Sequence, residues 1–409
     1  MIDIAIMGHG VVGSGVAEIL INHPDRIFDK VKDNINVKYI LDLRNFDDLA
    51  YADKFTKDFN KIVEDPDIKI VVEVMGGCTF AYDYVKACLL AGKSVCTSNK
   101  ELVAKKGSEL LKIALDKNVN FLFEASVGGV IPVLRPMAQC ITANEITEVT
   151  GILNGTTNFI LTKMIDENMS FDDALKLAQQ LGYAEKDPTA DVEGHDACRK
   201  ICILASLGFG KHVYPEQVKT EGISNITLED VEYANQFSSV IKLIGRTRKL
   251  DSGKITANVY PALVNKQHML SGVNDVFNAI MVRGDEVGDV MFYGRGAGKF
   301  PTASAVVGDV IDCAKHLTAR KYLFWEDGND DYVADSKRDI TKLFARLSSK
   351  NIALSIKEIE TQFNNATYIV NEEKNEIVLL TENDLEETLY EQIENLKNSQ
   401  VVKVLHAIV

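Results

Sequence analysis

Three short segments concentrate side chains that move protons and hold charged ligands. The densest runs Gly182-Tyr183-Ala184-Glu185-Lys186-Asp187-Pro188-Thr189-Ala190-Asp191-Val192-Glu193-Gly194-His195-Asp196-Ala197-Cys198-Arg199-Lys200. A helix ends at Gly182, a polar loop dense with carboxylates follows, and a second helix is expected to start near residues 192–194. Asp196 and Lys200 fall four apart on one helical face, the spacing of an ordinary surface ion pair. Yet Ala197, Ile201, Ile203, Leu204 and Leu207 surround Lys200 with apolar neighbours. Burial lowers an amine's pKa towards neutrality, and such an amine gives and takes protons, as alcohol–aldehyde interconversion requires. A lysine that snorkels its head to water is an equal reading.

The second segment is Thr97-Ser98-Asn99-Lys100, immediately after a strand-like run. The third is Glu124-Ala125-Ser126-Val127-Gly128-Gly129-Val130-Ile131-Pro132. A glycine-rich turn, Gly8-His9-Gly10-Val11-Val12-Gly13, completes the set. It follows a first strand and opens a helix over 11–21, the context that gives a G-x-G-x-x-G pattern its meaning. Gly8 permits the tight turn, Gly10 the approach of a pyrophosphate, and Gly13 close helix–strand packing. The helix N-terminus at Val11 and Val12 then offers unpaired N–H groups to the phosphates. His9 reads as a solvated turn residue.

Asp42 ends the second strand, where an acid bonds the ribose 2′-hydroxyl, or it is merely a solvated turn acid. Arg44 would instead meet a 2′-phosphate. The two pull in opposite directions, with a slight lean towards NAD over NADP. Gly76 and Gly77 close a third strand and suit a backbone passing under a nicotinamide ribose.

The elements that must position these residues read in three textures. Over the first 125 residues, apolar runs at 2–7, 37–41, 68–74, 94–97 and 120–123 alternate with helices at 82–91 and 105–117. That pattern means βαβ units and a doubly wound, Rossmann-type parallel sheet. From 130 to 298 helices dominate, with amphipathic stretches at 170–182, 194–208 and 228–245, a helix-rich α+β region. The last 90 residues read as a strand at 321–325, a helix at 339–349, strands at 352–359 and 367–380 with a turn at 372–375, a helix at 384–396 and a strand at 401–408. The order is βαββαβ, ferredoxin-like. The expected division is 1–130 with 299–318 returning to it, 131–298, and 320–409.

Composition sets outer limits. A chain of 409 residues with 46% hydrophobic and 25% charged side chains has the material for two or three globular domains. A net charge of -14 argues against nucleic acid or anionic membrane as the main partner. No run approaches the ~18 apolar residues of a membrane span, and no signal-like segment opens the chain, so the cytoplasm is expected. The seven cysteines form no C-x-x-C pair, and Cys198 and Cys202 read as buried small hydrophobes rather than metal ligands.

Taken in order, the segments resemble homoserine dehydrogenases from residue 1 to about 318. The matching pieces are G-H-G-V-V-G, S-N-K-E-L-V-A, E-A-S-V-G-G-V-I-P, G-I-L-N-G-T-T-N-F-I-L, D-P-T-A-D-V-E-G-H-D-A-C-R-K and Y-G-R-G-A-G. The resemblance implies an oxidoreductase of threonine and methionine biosynthesis, interconverting homoserine and aspartate semialdehyde with NAD or NADP. It implies Lys200 as proton donor and acceptor at the substrate oxygen, and Lys100 as its partner near the nicotinamide. Glu185 and Asp191, with Tyr183 and Asp196, would hold the substrate, chiefly its ammonium end, beside Gly155 and Thr156. Thr97, Ser98 and Lys100 would contact cofactor, with Gly296 and Gly298 closing over it. Backbone oxygens of Glu124, Val127, Gly129 and Ile131 would bind a monovalent cation, usually sodium. A homodimer or homotetramer is implied.

The C-terminal unit resembles an ACT regulatory domain. It lacks the glycine usual between first strand and helix, expected here at 335–339, which argues against an amino-acid effector. The rival chemistry, a semialdehyde dehydrogenase, needs a thiolate, for which Cys78 and Cys96 are the only cysteines near the cofactor edge. A non-catalytic nucleotide sensor would not need both lysines.

Overall fold

The computed structural model describes residues 1–319 and 323–408. The chain forms two compact units: Met1–Ile146 with Cys202–Pro215 and Ile280–Asn329, and Thr147–Ile201 with Glu216–Ala279 and Asp330–Val409.

In the first unit, short runs of β-branched residues, buried on both faces, assemble a six-stranded parallel sheet. Its order is Phe55–Thr56, Ile35–Leu41, Ile2–Met7, Ile68–Glu73, Ser94–Thr97, Phe121–Leu122. The direction of travel reverses between Ile2–Met7 and Ile68–Glu73. That switch point opens a crevice at the strands' carboxyl ends, and Gly8 and the Gly76-Gly77 pair lie there. Ile4, Ile6, Ile40, Ile70 and Val72 form one core with Val16 and Leu20 of the helix Val11–Asn22. Ala303, Val306 and Val310 of the later helix Lys299–Lys315 join it, and a Cβ on Gly15 would come within 2.9 Å of Ala303 Cβ. Glycine at 15 lets the two helices approach.

The helix expected from residue 105 begins at Lys100, because the Asn99 side chain caps it by accepting the Leu102 amide at 3.1 Å. Lys100 is thus the first helical residue.

The second unit carries a mixed sheet. Its strands run Ile146–Ile152, Ser239–Lys249, Ile255–Asn265, Ser399–Ile408, Ile340–Ser349, Glu376–Leu380, Thr367–Asn371. The expectation of one helix over 228–245 fails halfway. Leu228–Gln236 is helical, Ser238 turns the chain at φ +51°, and Ser239–Lys249 is a strand. Long strands at Ile255–Asn265, Phe277–Gly284 and Gly288–Arg295 likewise replace the helix dominance expected to 298. Ile255–Asn265 is buried at every residue but the last and carries no clear alternation, a pattern in which periodicity cannot separate buried helix from buried strand.

The C-terminal βαββαβ order is present, but its first two elements fall one place out of step with the expectation. Residues 340–349 are a strand, not a helix: Leu343, Ala345 and Leu347 enter the core with period two. Residues 352–362 are a helix, not a strand, with Ile352, Ile356, Ile359 and Phe363 on its packed face and Asn351 capping it. The hairpin Thr367–Asn371/Glu376–Leu380 lies as expected around 372–375. Of the strand expected at 321–325, Lys321 and Tyr322 lie outside the described residues, and Leu323, Phe324 and Trp325 are not in a strand. The junction between first strand and helix is therefore Lys350-Asn351 rather than 335–339, and it too has no glycine. Among the described residues no helix is long and apolar enough to cross a membrane.

Candidate active site

In the first unit the glycine turn hangs from two strands. Gly8 N donates to Leu41 O at 2.8 Å with φ +98°, and a Cβ there would lie 2.9 Å from Val74 O. A Cβ on Gly13 would come within 2.0 Å of Gly8 O, so only glycine lets this helix start so close to the strand. Gly10 faces open space and caps the helix Val11–Asn22 with no side chain, and Val11 and Val12 begin it. Those first-turn amides are available to an anion.

Asp42 and Arg44 do not oppose each other; they are paired. Arg44 Nε donates to Asp42 Oδ1 at 3.0 Å and Nη2 to Oδ2 at 2.9 Å, while the His9 amide donates to Oδ2 at 2.8 Å. Arg44 Nη2 also reaches His9 O at 3.0 Å. The guanidinium holds the Asp42 carboxyl well below the usual carboxylate range. Asp42 is thus no solvated turn acid: its side chain is 9% exposed and pins the glycine turn to the second strand.

His9 is a second correction. It is buried against the rings of Phe46, Tyr51 and Phe55, with Nε2 3.2 Å from the Tyr51 hydroxyl. Desolvation lowers its pKa. Only its backbone belongs to the turn, a fact hidden from sequence because the three rings are 37 to 46 residues away.

At the neighbouring carboxyl edge, Gly76 and Gly77 have φ +80° and +70° and face open space. Thr97, Ser98, Asn99 and Lys100 follow the adjacent strand, and Asn99 Nδ2 donates to Gly77 O at 2.6 Å. Beyond them, Gly128 and Gly129 are both left-handed and turn the 124–131 loop. A Cβ on Gly129 would lie 2.5 Å from Gly296 O, which brings Gly296 against that loop. The Glu124 carboxylate accepts the amides of Val133, Leu134 and Arg135 at 2.7 to 2.9 Å. Its own amide donates to Asp309 Oδ2 at 2.9 Å, and Asp309 pairs with Arg135 at 2.5 Å. Burial pushes the Asp309 carboxyl up to about 7. Sequence reasoning missed Asp309 and Arg135, since only the fold brings residue 309 to 124.

The residues of this loop fit a monovalent cation. Val127, Gly129 and Ile131 are buried, and among the described residues no protein donor reaches their carbonyl oxygens. Buried carbonyls want partners, and hard cations take such oxygens. Side-chain clusters of His, Cys, Asp or Glu suited to a metal are absent among the described residues.

In the second unit, the helix His195–Phe209 carries Lys200 inward. Its Nζ donates to Leu153 O and to Asp196 Oδ2, both at 2.7 Å, and its side chain is 9% exposed. A head held this far from water does not snorkel. Asn154, unrecognised in the sequence, ties the carboxylates together: Nδ2 donates to Asp191 Oδ1 at 2.7 Å and to Asp196 Oδ2 at 2.9 Å. Its Oδ1 caps the helix Gly155–Glu167 through the Thr157 amide at 2.8 Å, and Asn before Gly-Thr was the available signal. Gly155 is pressed against Val276 O, where a Cβ would lie 2.8 Å away. The Thr156 hydroxyl donates to Tyr183 O at 2.6 Å, and the Tyr183 ring meets Phe159 edge-on at 5.1 Å. Glu185 stands apart, exposed on the loop, with its backbone oxygen accepting from Gln179 at 3.1 Å.

The two thiols near the cofactor edge are held in their protonated form. Burial raises the pKa of both Cys78 and Cys96, and Cys96 Sγ lies 3.6 Å from Cys313 Sγ inside the core. Cys198 and Cys202 are buried, as their apolar context suggested.

Two family profiles match the chain: one described as homoserine dehydrogenase over residues 132–311, and one as homoserine dehydrogenase, NAD binding domain, over 8–124. The homoserine dehydrogenase of Bacillus subtilis is 43% identical over 319 residues, 77% of this chain and 73% of that one. That of Corynebacterium glutamicum is 37% identical over 425 aligned residues, covering 100% of this chain and 95% of the relative. A crystal structure of a homoserine dehydrogenase from Thiobacillus denitrificans superposes with a TM-score of 0.88 at 35% identity, covering 100% and 98% of the two chains. A hyperthermophilic archaeal homoserine dehydrogenase in complex with NADPH superposes with a TM-score of 0.65 at 30% identity, covering 76% of this chain and 97% of that one.

Proposed function

We propose residue roles from one premise: the chain belongs to the homoserine dehydrogenase family of NAD(P)-dependent oxidoreductases. The reaction is the interconversion of L-homoserine and L-aspartate 4-semialdehyde. In our reading Lys200 moves the proton at the substrate oxygen. The observation that carries this is a buried amine fixed by two acceptors 2.7 Å away, Leu153 O and Asp196 Oδ2. An amine so held has a defined direction, which proton transfer in a transition state rewards.

When bound, the nicotinamide supplies the hydride chemistry. During oxidation the neutral amine of Lys200 takes the proton that leaves the substrate oxygen, and the ammonium so formed stabilises the negative charge that develops there. Lys100, at the start of its helix, serves the nicotinamide end. The substrate is a zwitterion, and its ammonium calls for carboxylates: Asp191 and Glu185 take that part, with Asp196 ordering Lys200. Tyr183, Gly155 and Thr156 form the wall beside it.

Gly8, Gly10, Val11, Val12 and Gly13 would hold the pyrophosphate, Asp42 and Arg44 the adenosine ribose, and Gly76, Gly77, Thr97 and Ser98 the nicotinamide ribose, with Gly296 closing over it. The carbonyls of Glu124, Val127, Gly129 and Ile131 would hold a sodium ion that stiffens the loop. As a working division we take 1–130 with 299–318, 131–298 and 320–409, the last an ACT-like assembly domain in a homodimer or homotetramer. We take the cytoplasm as the compartment, because none of the seven cysteines is in a disulfide and that compartment keeps thiols reduced.

The test is a spectrophotometric assay of homoserine oxidation with NAD and NADP in parallel. Turnover of homoserine that disappears in the Lys200→Ala protein supports the reading. Full activity in that variant overturns it.

A further inference from the structure

We propose that the buried carboxylate of Glu73 discriminates between redox states of the cofactor, favouring the cationic, oxidised nicotinamide over the neutral, reduced one. The inference rests on the reading above that Gly76 and Gly77 face the nicotinamide ribose.

Glu73 is the last residue of the strand Ile68–Glu73 and is fully buried. Its Oε1 accepts the Met75 amide at 2.8 Å, and its Oε2 accepts the Thr97 hydroxyl at 2.6 Å. The network continues outward. Thr97 Oγ1 accepts the Asn99 amide at 2.9 Å, Asn99 Nδ2 donates to Gly77 O at 2.6 Å, and Asn99 Oδ1 caps the helix that begins at Lys100. One carboxylate thus anchors both loops assigned to the nicotinamide end.

Both donors are neutral, and among the described residues no cationic side chain pairs with Glu73. Burial works against the charge and pushes the carboxyl up. A buried anion without a cation is costly, and a glutamine of the same shape would retain an acceptor for the Met75 amide. Holding the loops therefore does not by itself require the charge. A cation arriving beside it does: the oxidised ring carries one positive charge that the reduced ring lacks. In a site of low effective dielectric a fixed anion acts on that difference and on nothing else in the dinucleotide that changes with redox state.

The experiment is calorimetric titration of the full chain, without substrate, with the oxidised and reduced forms of whichever dinucleotide binds better. In Glu73→Gln the Kd of the oxidised form should rise about tenfold while that of the reduced form stays within about twofold. Glu73→Asp, which keeps the charge, should preserve the discrimination. Equal weakening of both forms, the outcome of a purely structural role, would overturn the inference, as would no change in either. If Glu73→Gln does not fold, ADP-ribose titrated into the unaltered protein decides the matter. The oxidised ring must then add more affinity over ADP-ribose than the reduced ring does, and the reverse order overturns the inference. Failure of the unaltered protein to bind either form would instead bring down the nicotinamide reading itself, and this inference with it.

Discussion

Lys200 Nζ and Asp196 Oδ2 lie 2.7 Å apart on consecutive turns of one helix, and both side chains are less than 10% exposed. Asp196 in turn shares Asn154 with Asp191, 2.9 and 2.7 Å away. Removing the amine therefore unpairs a buried carboxylate as well as removing the proposed proton carrier.

The expected outcome for Lys200→Ala is a fall in kcat of about 10²–10⁴-fold, the usual size of a general acid–base contribution. Dinucleotide affinity should hardly change, because the glycine turn that would hold the phosphates belongs to the first unit and Lys200 to the second. Glu185→Ala should act mainly on KM, since an ammonium contact is present in ground and transition states alike. Steady-state kinetics on folded variants check both. Activity of Lys200→Ala within about threefold of the parent would leave the lysine a structural ion-pair partner.

Cofactor choice turns on the Asp42–Arg44 pair. With the guanidinium bound at both carboxylate oxygens, a 2′-phosphate must draw Arg44 away from Asp42, so NAD should be used at least as well as NADP. Asp42→Asn should move the ratio of kcat/KM towards NADP. An unaltered enzyme preferring NADP by about a hundredfold, roughly 2.7 kcal/mol, would contradict this.

Threonine should inhibit the full chain weakly or not at all. On our reading of the C-terminal unit as ACT-like, the junction Lys350-Asn351 has a helix-capping asparagine in place of the usual glycine. Initial rates with threonine at low millimolar concentration check this, and saturable inhibition there refutes it.

Glu386 should make stability depend on pH. Burial alone would raise its carboxyl, but the hydrogen bond and charge of His406, with Lys219 at 2.9 Å, outweigh burial and bring it down to about 2. A carboxyl depressed in the folded state stabilises above its unfolded value, near 4.5, and loses that contribution as pH falls towards 2. Urea unfolding should find Glu386→Gln less stable by roughly 3 kcal/mol at pH 7. The gap to the parent should narrow between pH 5 and pH 3. A gap that stays constant with pH would show that the charge is not the cause.

How much of this was legible in the sequence follows from the range of the forces involved. Five of the six parallel strands and the glycine turn are local: β-branched runs, turn glycines and a helix start lie within a dozen residues of each other, whereas the two-residue strand Phe55–Thr56 leaves no apolar run to read. The apolar helix around Lys200 is equally local, but whether its head is buried or reaches water is not: Leu153 O, 47 positions away, holds the amine. The C-terminal order βαββαβ was readable, but the identity of residues 340–349 and 352–362 was not. Alternation in the first and a helical stripe in the second are short signals, and packing against the partner strands settles them. Tertiary structure alone decided three further matters. Arg44 pairs with Asp42 instead of opposing it, because side-chain geometry across one turn is not encoded in spacing. His9 is buried because Phe46, Tyr51 and Phe55 fold over it. Asp309 reaches the amide of Glu124 across 185 positions of chain. Contacts of that separation leave no periodic trace in a sequence, and only the closed core brings them within hydrogen-bonding distance.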